Sequence, residues 1–556
     1  MLKTKHKVGL ALLATVATAL SACGAKDEDE DDSWKDDLNG GVLFWSSFGS
    51  NYTSVLNTVV SNISDSISVE IDHKEQGSYD EINRNMISAI AVGDYPNVAV
   101  GYPDHFASYL GSDVLKPLDK YFTEEEFADY YEQYMEENKF YDNKKTKAQL
   151  RTYGIPFNKS TELLGYNGVF VDYANYVDPS IGAVPRTWAE YEIKAPKYYK
   201  VYSDLFGHYL YGKQDVFGTA SDFKVYDYVK DEDPPGEKID GEWFDEDGRV
   251  LLLDCSLVSK DNSFLMSWDA TDNAFITLVR QWGAKYTEVP DSEKTKIAKK
   301  RNGYVYFNSS DNQDKVVSML KYFRNLYEDK LFGTPQTLGG DYSSKAFEAC
   351  RVMFMICSSG GLSYNTANWR HRFRVSPILY KDADKKTVIS QGANLCMTDK
   401  SNFTNSVKVM KALTTGKFQT DWCLATGYYP CSKSAAESKA YQEFVNEAKD
   451  LTPEQAEEYG VYENPVRVAY REGSALNSVY YMDQYSDDDV SEKWTKFVDP
   501  AFEGSSVLRT TVKGVLDSIF KIKSADINNS QKYKDKLNEI ESAPTIIGAS
   551  TIKFVH

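Results

Sequence analysis

The chain opens on a hydrophobic pattern unlike anything that follows it. Lys3, Lys5 and Lys7 precede an unbroken run of apolar and small residues from Val8 to Leu20. The run is too short to span a bilayer as a helix, which needs about 20 apolar residues. Its layout is that of a secretory signal: basic start, apolar middle, then small Ser21 and Ala22 before a cut. Asp27 to Asp32 are all acidic, a stretch that stays solvated. Apolar patterning resumes at Gly41, where Val42 to Trp45 predicts a buried strand and Ser46 to Ser50 a loop. Val69 to Ile71 predicts a second strand. Asp80 to Val92 predicts an amphipathic helix, with Ile82, Met86 and Ile90 four apart on one face. Gly93 can end that helix and Pro96 forbids its continuation; Val98 to Val100 is the next strand. This alternation predicts an α/β fold, a parallel or mixed sheet covered by helices. Ligands of such sheets sit beyond the carboxyl ends of strands, which makes Trp45 with Ser46, and Tyr102 with Asp104, candidate site residues.

Farther along, residues 205–262 are polar and tyrosine-rich and look like an insertion, with a loop at Asp231 to Gly236 and a short strand at Val250 to Leu253. Val316, Met319, Leu320, Phe323 and Tyr327 make a helical face. After Ser434 the pattern is mainly helical, with an acidic turn at Ser486 to Asp489, and no internal repeat is visible.

Charge narrows the partners. A cut after residue 22 removes three lysines and leaves 60 basic against 82 acidic residues. Such a surface argues against nucleic acid, whose binding depends on cationic contacts with phosphate, and against docking on anionic lipid. Tyrosine is abundant, 40 of the 556 residues, and its ring with a polar rim suits sugar binding as well as ordinary cores. Of seven cysteines, none forms a CxxC pair, and the histidines do not cluster with them in sequence. Metal-ligand spacing is absent, and no cofactor is expected. Export permits disulfides, and Cys423–Cys431 would close a small loop, but buried thiols acting as small hydrophobes are the simpler reading. Motifs for dinucleotides, nucleoside triphosphates, zinc proteolysis and serine hydrolysis are all missing.

Leu20-Ser21-Ala22-Cys23 resembles the lipobox of bacterial lipoproteins. The resemblance implies a signal peptide over 1–22, lipidation of Cys23, and an acidic tether over 23–40. A second resemblance covers most of 41–435. Gly93-Asp94-Tyr95-Pro96-Asn97-Val98 is similar to the G-x-x-P-D-V turn of extracellular solute-binding proteins of the maltose- and glycerol-3-phosphate-binding type. Gly154 to Thr161, followed by Leu164-Gly165-Tyr166-Asn167, resembles that family's PF-x-x-ST…LYYN stretch. Pro185-Arg186-Thr187-Trp188-Ala189-Glu190 resembles PKTWDE. Phe347 to Met353 with Ser358-Ser359-Gly360 resembles F-x-x-G-x-AM and its Gly/Ser loop. Gln391-Gly392-Ala393-Asn394-Leu395 resembles the glycine-containing strand after the second crossover, and Ala425 to Pro430 resembles TGYLP. Two departures stand out: Cys350 in place of the usual glycine, and the insertion at 205–262.

The family resemblance implies a two-lobed type II periplasmic-binding-protein-like fold, with 41–157 plus 390–431 in one lobe and 158–389 plus 432–556 in the other. Ligand binds in the cleft and the lobes close on it. The chain is expected to act as a monomer, lipid-anchored outside the cell membrane, handing its ligand to ABC permease subunits and catalysing nothing. Candidate aromatic platforms are Trp45, Tyr102, Trp268 and Tyr428; candidate polar contacts are Asp104, Ser160, Thr161, Asp269, Ser359 and the backbone at Gly392. Trp268 lies where the family often places a ligand-stacking tryptophan, whereas Trp188 and Trp282 sit within helical patterns and fit a core. Neutral carbohydrate is the first expectation. A glycerol-3-phosphate or glycerophosphodiester ligand is the second, because Arg509 near a helix start, with Ser160-Thr161, Ser358-Ser359-Gly360 and Gly427-Tyr428, resembles that branch, and arginine suits phosphate; Arg509 also fits helix packing. A surface glycan-binding or glycan-hydrolysing lipoprotein is the reading from another class.

Overall fold

A computed structural model describes residues 40–142, 149–214, 219–296, 301–340, 342–361, 369–443, 495–497, 502, 504–542 and 552–556. The signal, Cys23, the acidic stretch up to residue 39 and the Ser486 to Asp489 turn lie outside the described residues. The described residues are built mainly on two mixed sheets, one in each of two lobes. The first sheet runs Ile71–Glu75, Val42–Ser46, Val98–Gly101, Asn394–Met397, Gly154–Pro156. Its first three strands are parallel and Asn394–Met397 is antiparallel to both of its neighbours. The helix Tyr79–Val92 forms as its pattern predicts. Ser78 and Glu81 make a reciprocal capping box at its start, and Gly93 ends it at φ 74°. The second strand begins at Ile71 rather than Val69, because Val69 is held in the turn by a hydrogen bond from Ser64 Oγ (2.7 Å). A helix over Gly49–Ile67, beginning within the stretch Ser46 to Ser50 expected as a loop, covers this sheet. It packs against helices Phe403–Thr414 and Gly416–Thr426.

The second sheet has seven strands: Phe332–Gly333, Met266–Trp268, Phe354–Ser358, Ser160–Asn167, Thr387–Gln391 and Thr495–Phe497 in order, with Phe373–Pro377 also pairing with Ser160–Asn167. Helix Gln313–Glu328 buries Val316, Met319, Leu320 and Phe323 beneath it. Residues 205–262 do more than loop out. Their strands Glu237–Ile239, Glu242–Phe244, Val250–Asp254, His208–Gln214 and Ala220–Asp227 form an antiparallel sheet of their own. The six cysteines from Cys255 onward are buried thiols.

Two short crossovers join the sheets side by side. One lies between Pro156 and Ser160, the other between Gln391 and Asn394, and both Phe157 and Asn158 donate backbone N–H bonds to the Ala393 carbonyl (3.1 and 2.9 Å). Gly392 sits at φ 118°, and a Cβ there would stand 1.7 Å from the Asn158 carbonyl oxygen. No other residue fits that approach. Lys159, fully buried, forms an ion pair with Glu137 and donates to the Gly392 carbonyl (3.1 Å). Removing one partner would leave the other charge buried, a loss of about 3–5 kcal/mol. One expected boundary shifts. Residues 432–443 pack on the first sheet's helices rather than on the second lobe: Ser434 bonds Asp129, Ser438 bonds Thr420 (3.1 Å) and Tyr441 is buried with Trp422.

Candidate functional site

The ends of the first sheet's strands and the crossovers bring a group of aromatic rings to the junction of the lobes. Tyr79 begins its helix directly after the turn at Gly77-Ser78, and Tyr102 caps the helix Pro103–Leu110. Their rings meet edge to face at 4.8 Å. Tyr428, set after helix Gly416–Thr426 by Gly427 in the left-handed conformation, acts electrostatically on the Tyr79 phenol. Its ring stacks on Trp422 (6.2 Å, 9°), which stacks in turn on Phe157 (5.8 Å, 15°). Burial pushes all three phenols above their ordinary range, so they stay neutral donors at physiological pH. From the second lobe, the loop at Gly360 comes under Tyr428, and the Tyr52 hydroxyl donates to the Gly360 carbonyl (2.9 Å).

A polar row faces this group. Helix Ser505–Val512 packs against both Pro103–Leu110 and Thr271–Gln281, and Arg509 pairs with Asp272 (2.8 Å) and donates to Asn273 Oδ1 (2.5 Å). Asn273 Nδ2 donates onward to Gln391 (2.8 Å) and to Glu162 Oε1 (3.0 Å). Arg509 and Asp272 both act electrostatically on Tyr102 and on Glu162. Glu162 is 2% exposed. Its Oε1 accepts from Asn273 and Trp268, but its Oε2 is buried with no hydrogen-bond partner. Desolvation raises its pKa to about 8, so at neutral pH it holds a proton and can donate as well as accept. The junction thus presents aromatic edges beside polar donors and acceptors and the Arg509–Asp272 ion pair.

The structure brings together only part of the predicted set. Tyr102 and Tyr428 stand in the aromatic group, and buried Asp104 adjoins Tyr102 on the first turn of its helix. Arg509 is in the polar row but committed to Asp272. Trp268 is a correction: it is fully buried in the second lobe, stacked on Trp188 (6.5 Å, 19°), and offers no open face. Its indole N–H positions Glu162 instead (3.2 Å). Trp45 packs into the first lobe's hydrophobic clusters, with its Nε1 buried and without a partner. Ser46 binds His73 and Glu75 (2.7 and 2.8 Å), tying two strand ends together. Ser160 pairs with Gln391 across the sheet. Thr161 donates its N–H to Ser359 Oγ (3.1 Å) and its hydroxyl to the Ile389 carbonyl (2.7 Å), so this serine and threonine hold the sheet to the Gly360 loop. Asp269 accepts from the Ser343 N–H (2.8 Å), and Gly392 serves the crossover.

Sequence reasoning missed Tyr79, Glu162, Asn273 and Gln391. Glu162 had a visible signal: a carboxylate directly before the apolar pair Leu163-Leu164 in the buried strand Ser160–Asn167. The others have none short of the fold. Among the described residues, no group of three His, Cys, Asp or Glu side chains is arranged to hold a metal, and no helix is long and apolar enough to cross a membrane.

A family model described as bacterial extracellular solute-binding protein matches residues 65–449. No curated protein sequence matches the chain. Several solved structures share the fold. The GacH receptor of Streptomyces glaucescens, solved unliganded and with acarbose, superposes with a TM-score of 0.58 at 14% identity, over 91% of this chain and 100% of its own. UgpB from Mycobacterium tuberculosis, in complex with glycerophosphocholine, gives 0.58 at 16% identity over 90% and 98%. The Thermus thermophilus maltotriose binding protein, bound with maltotriose, gives 0.54 at 14% identity over 90% and 99%.

Proposed function

The chain belongs to the bacterial extracellular solute-binding protein family, and from that premise we propose that it is the capture component of an ABC importer for a neutral carbohydrate. The observation that carries this reading is the pairing of Tyr79, Tyr102 and Tyr428 with the row Glu162–Asn273–Gln391–Arg509. Sugar faces stack on rings while hydroxyls need both donors and acceptors. Glu162 Oε2, buried without a partner, is the atom a ligand hydroxyl would satisfy. Closure of a lobe made of 41–157 plus 390–443 on a lobe made of the remaining folded residues encloses the ligand, and the closed form is what the permease subunits receive. The two crossovers carry the hinge, with Gly392 as its pivot.

A phosphate ligand would need Arg509 to leave Asp272, and that commitment is why neutral sugar ranks first. Hydrolysis would need a second available carboxylate beside Glu162, and Asp272 is held by Arg509; the protein binds and releases without reaction. Lipidated Cys23 and the acidic segment after it would tether the monomeric lobes to the outer face of the membrane. Acyl chains contribute about 0.8 kcal/mol per buried CH₂.

Thermal unfolding of the full chain, with mono-, di- and trisaccharides and glycerophosphocholine added one at a time, tests the ligand class. A sugar at a hundredfold excess over its Kd stabilises the folded state by about 2.7 kcal/mol. Stabilisation by glycerophosphocholine alone overturns the carbohydrate assignment.

A further inference from the structure

Cys350 holds a backbone conformation that its residue type disfavours. Its φ is 54°, the left-handed region in which a side chain is strained and which glycine adopts freely. That is the position where the resembling family sequences carry glycine. This chain keeps a thiol there, and the surroundings of that sulfur are specific. His371 Nε2 stands 3.7 Å from Cys350 Sγ, although 21 residues separate them in sequence. Cys255, fully buried one residue beyond the cavity-lining Asp254, acts electrostatically on the same sulfur. The Tyr202 hydroxyl donates to the Cys350 carbonyl (2.7 Å) and fixes the turn. Cys255 follows the inserted strand Val250–Asp254, while Cys350 follows helix Ser343–Glu348 of the second lobe. A cavity of about 200 Å³ lies between these two parts, and Cys350 and His371 line it together with Trp243, Asp254, Glu242 and Arg370. Backbone strain kept at a cavity wall is the kind of outlier from which function is inferred.

We propose that Cys350 is a reactive thiol that exchanges with a small disulfide entering this cavity, and that Cys255 resolves the product into an internal Cys255–Cys350 bond clamping the inserted sheet to the second lobe. The cavity divides the roles, and the electrostatics agree. The neighbouring Cys255 and His371 hold the Cys350 thiol below its ordinary range, whereas Cys350 and burial push Cys255 up. Cys350 lines the cavity and Cys255 does not, so Cys350 is the thiol that an incoming disulfide meets. Its sulfur attacks one sulfur of the incoming disulfide, that S–S bond breaks, and one small thiol departs as thiolate. Cys255 then attacks the Cys350 sulfur, the second small thiol departs, and it takes the proton that Cys255 loses. Two protein thiols are oxidised and one small disulfide is reduced to two thiols. An extracellular setting permits the oxidised state to persist. None of Cys357, Cys396, Cys423 and Cys431 lines this cavity, and burial pushes the thiols of Cys396, Cys423 and Cys431 up.

The test uses the full-length chain with Cys23→Ser, so that no tether thiol competes, and oxidised glutathione as the probe. After timed incubation and acid quench, non-reducing digestion and mass spectrometry locate every adduct. The expected result is a Cys255–Cys350 linked peptide, with Cys350 consumed about tenfold faster than the four other thiols, and a higher unfolding temperature for the oxidised protein. Adding Cys255→Ser should trap glutathione on Cys350. Should that variant fail to fold, the consumption rates and linked peptide of the parent chain decide alone. Glutathione spread evenly over all six thiols, no reaction at Cys350, or no linked peptide would each overturn the proposal.

Discussion

Two aromatic groups in this molecule use similar side chains for opposite ends. In the second lobe, Trp188, Trp268 and Phe323 pack with no exposed face, Trp188 meeting Phe323 edge-on at 4.9 Å. Their polar handles are spent internally, Trp188 Nε1 on Gln281 (2.9 Å) and Trp268 Nε1 on Glu162 (3.2 Å). At the lobe junction, Tyr79, Tyr102 and Tyr428 are only partly buried, and their phenols gather beside a row of polar side chains. The difference shows that ring type does not separate core from site. What separates them is where the polar atom ends: consumed inside one lobe, or left between two.

Breaking the core group should have the largest effect. Trp268→Ala is expected to lower folding stability by about 3–5 kcal/mol in urea unfolding, through the lost ring and the void against Trp188. A Trp268→Ala protein of normal stability that no longer binds sugar would reverse the two roles.

Glu162 links the groups, and its pH dependence sharpens the contrast. Its folded pKa, about 8, lies above the unfolded value near 4.5, so the folded state holds the proton more tightly. Its stabilising contribution is complete below the unfolded pKa and is lost as pH rises toward 8, at up to about 1.4 kcal/mol per pH unit. Comparing wild type with Glu162→Gln between pH 5 and 8 isolates this slope, which the glutamine variant should lack. Parallel curves for the two proteins would mean that Glu162 is not held protonated.

Substitutions at the junction should act on ligand rather than fold. Tyr102→Ala is expected to weaken sugar binding about tenfold, about 1.4 kcal/mol, with little change in unfolding temperature. Tyr428→Phe keeps the stack on Trp422 and removes only a hydroxyl, so a few-fold loss of affinity, about 1 kcal/mol, is expected. A larger stability loss from Tyr102→Ala than from Trp268→Ala would erase the distinction between the groups.

Much of the fold is legible in local pattern. Ile82, Met86 and Ile90 with Gly93 mark the helix Tyr79–Val92, and the short apolar runs at Val42 and Val98 mark central strands. The crossovers were visible through family resemblance around Phe157 and Gly392. Helix Gly49–Ile67 was not read beyond the loop at Ser46 to Ser50, although Leu56, Val59, Val60 and Ile63 stand at helical spacing and are buried against helices some 350 residues later. The inserted sheet was under-read because the strand Ala220–Asp227 is largely exposed and lacks an apolar signature. Trp268 shows why site residues resist sequence reading. It ends a strand, as a ligand platform would, yet its strand lies between Phe354–Ser358 and Phe332–Gly333, and the ring falls into the core. Arg509 was equally ambiguous until its partner, Asp272, was found 237 residues away.

Calorimetric titration of the full chain and of Tyr102→Ala, with a panel of neutral oligosaccharides and with glycerophosphocholine, tests the central claim most directly. The account predicts one-to-one binding of a neutral sugar by the wild type, about tenfold weaker in Tyr102→Ala at unchanged stoichiometry. Binding of glycerophosphocholine without any sugar, or equal sugar affinity in both proteins, would contradict it.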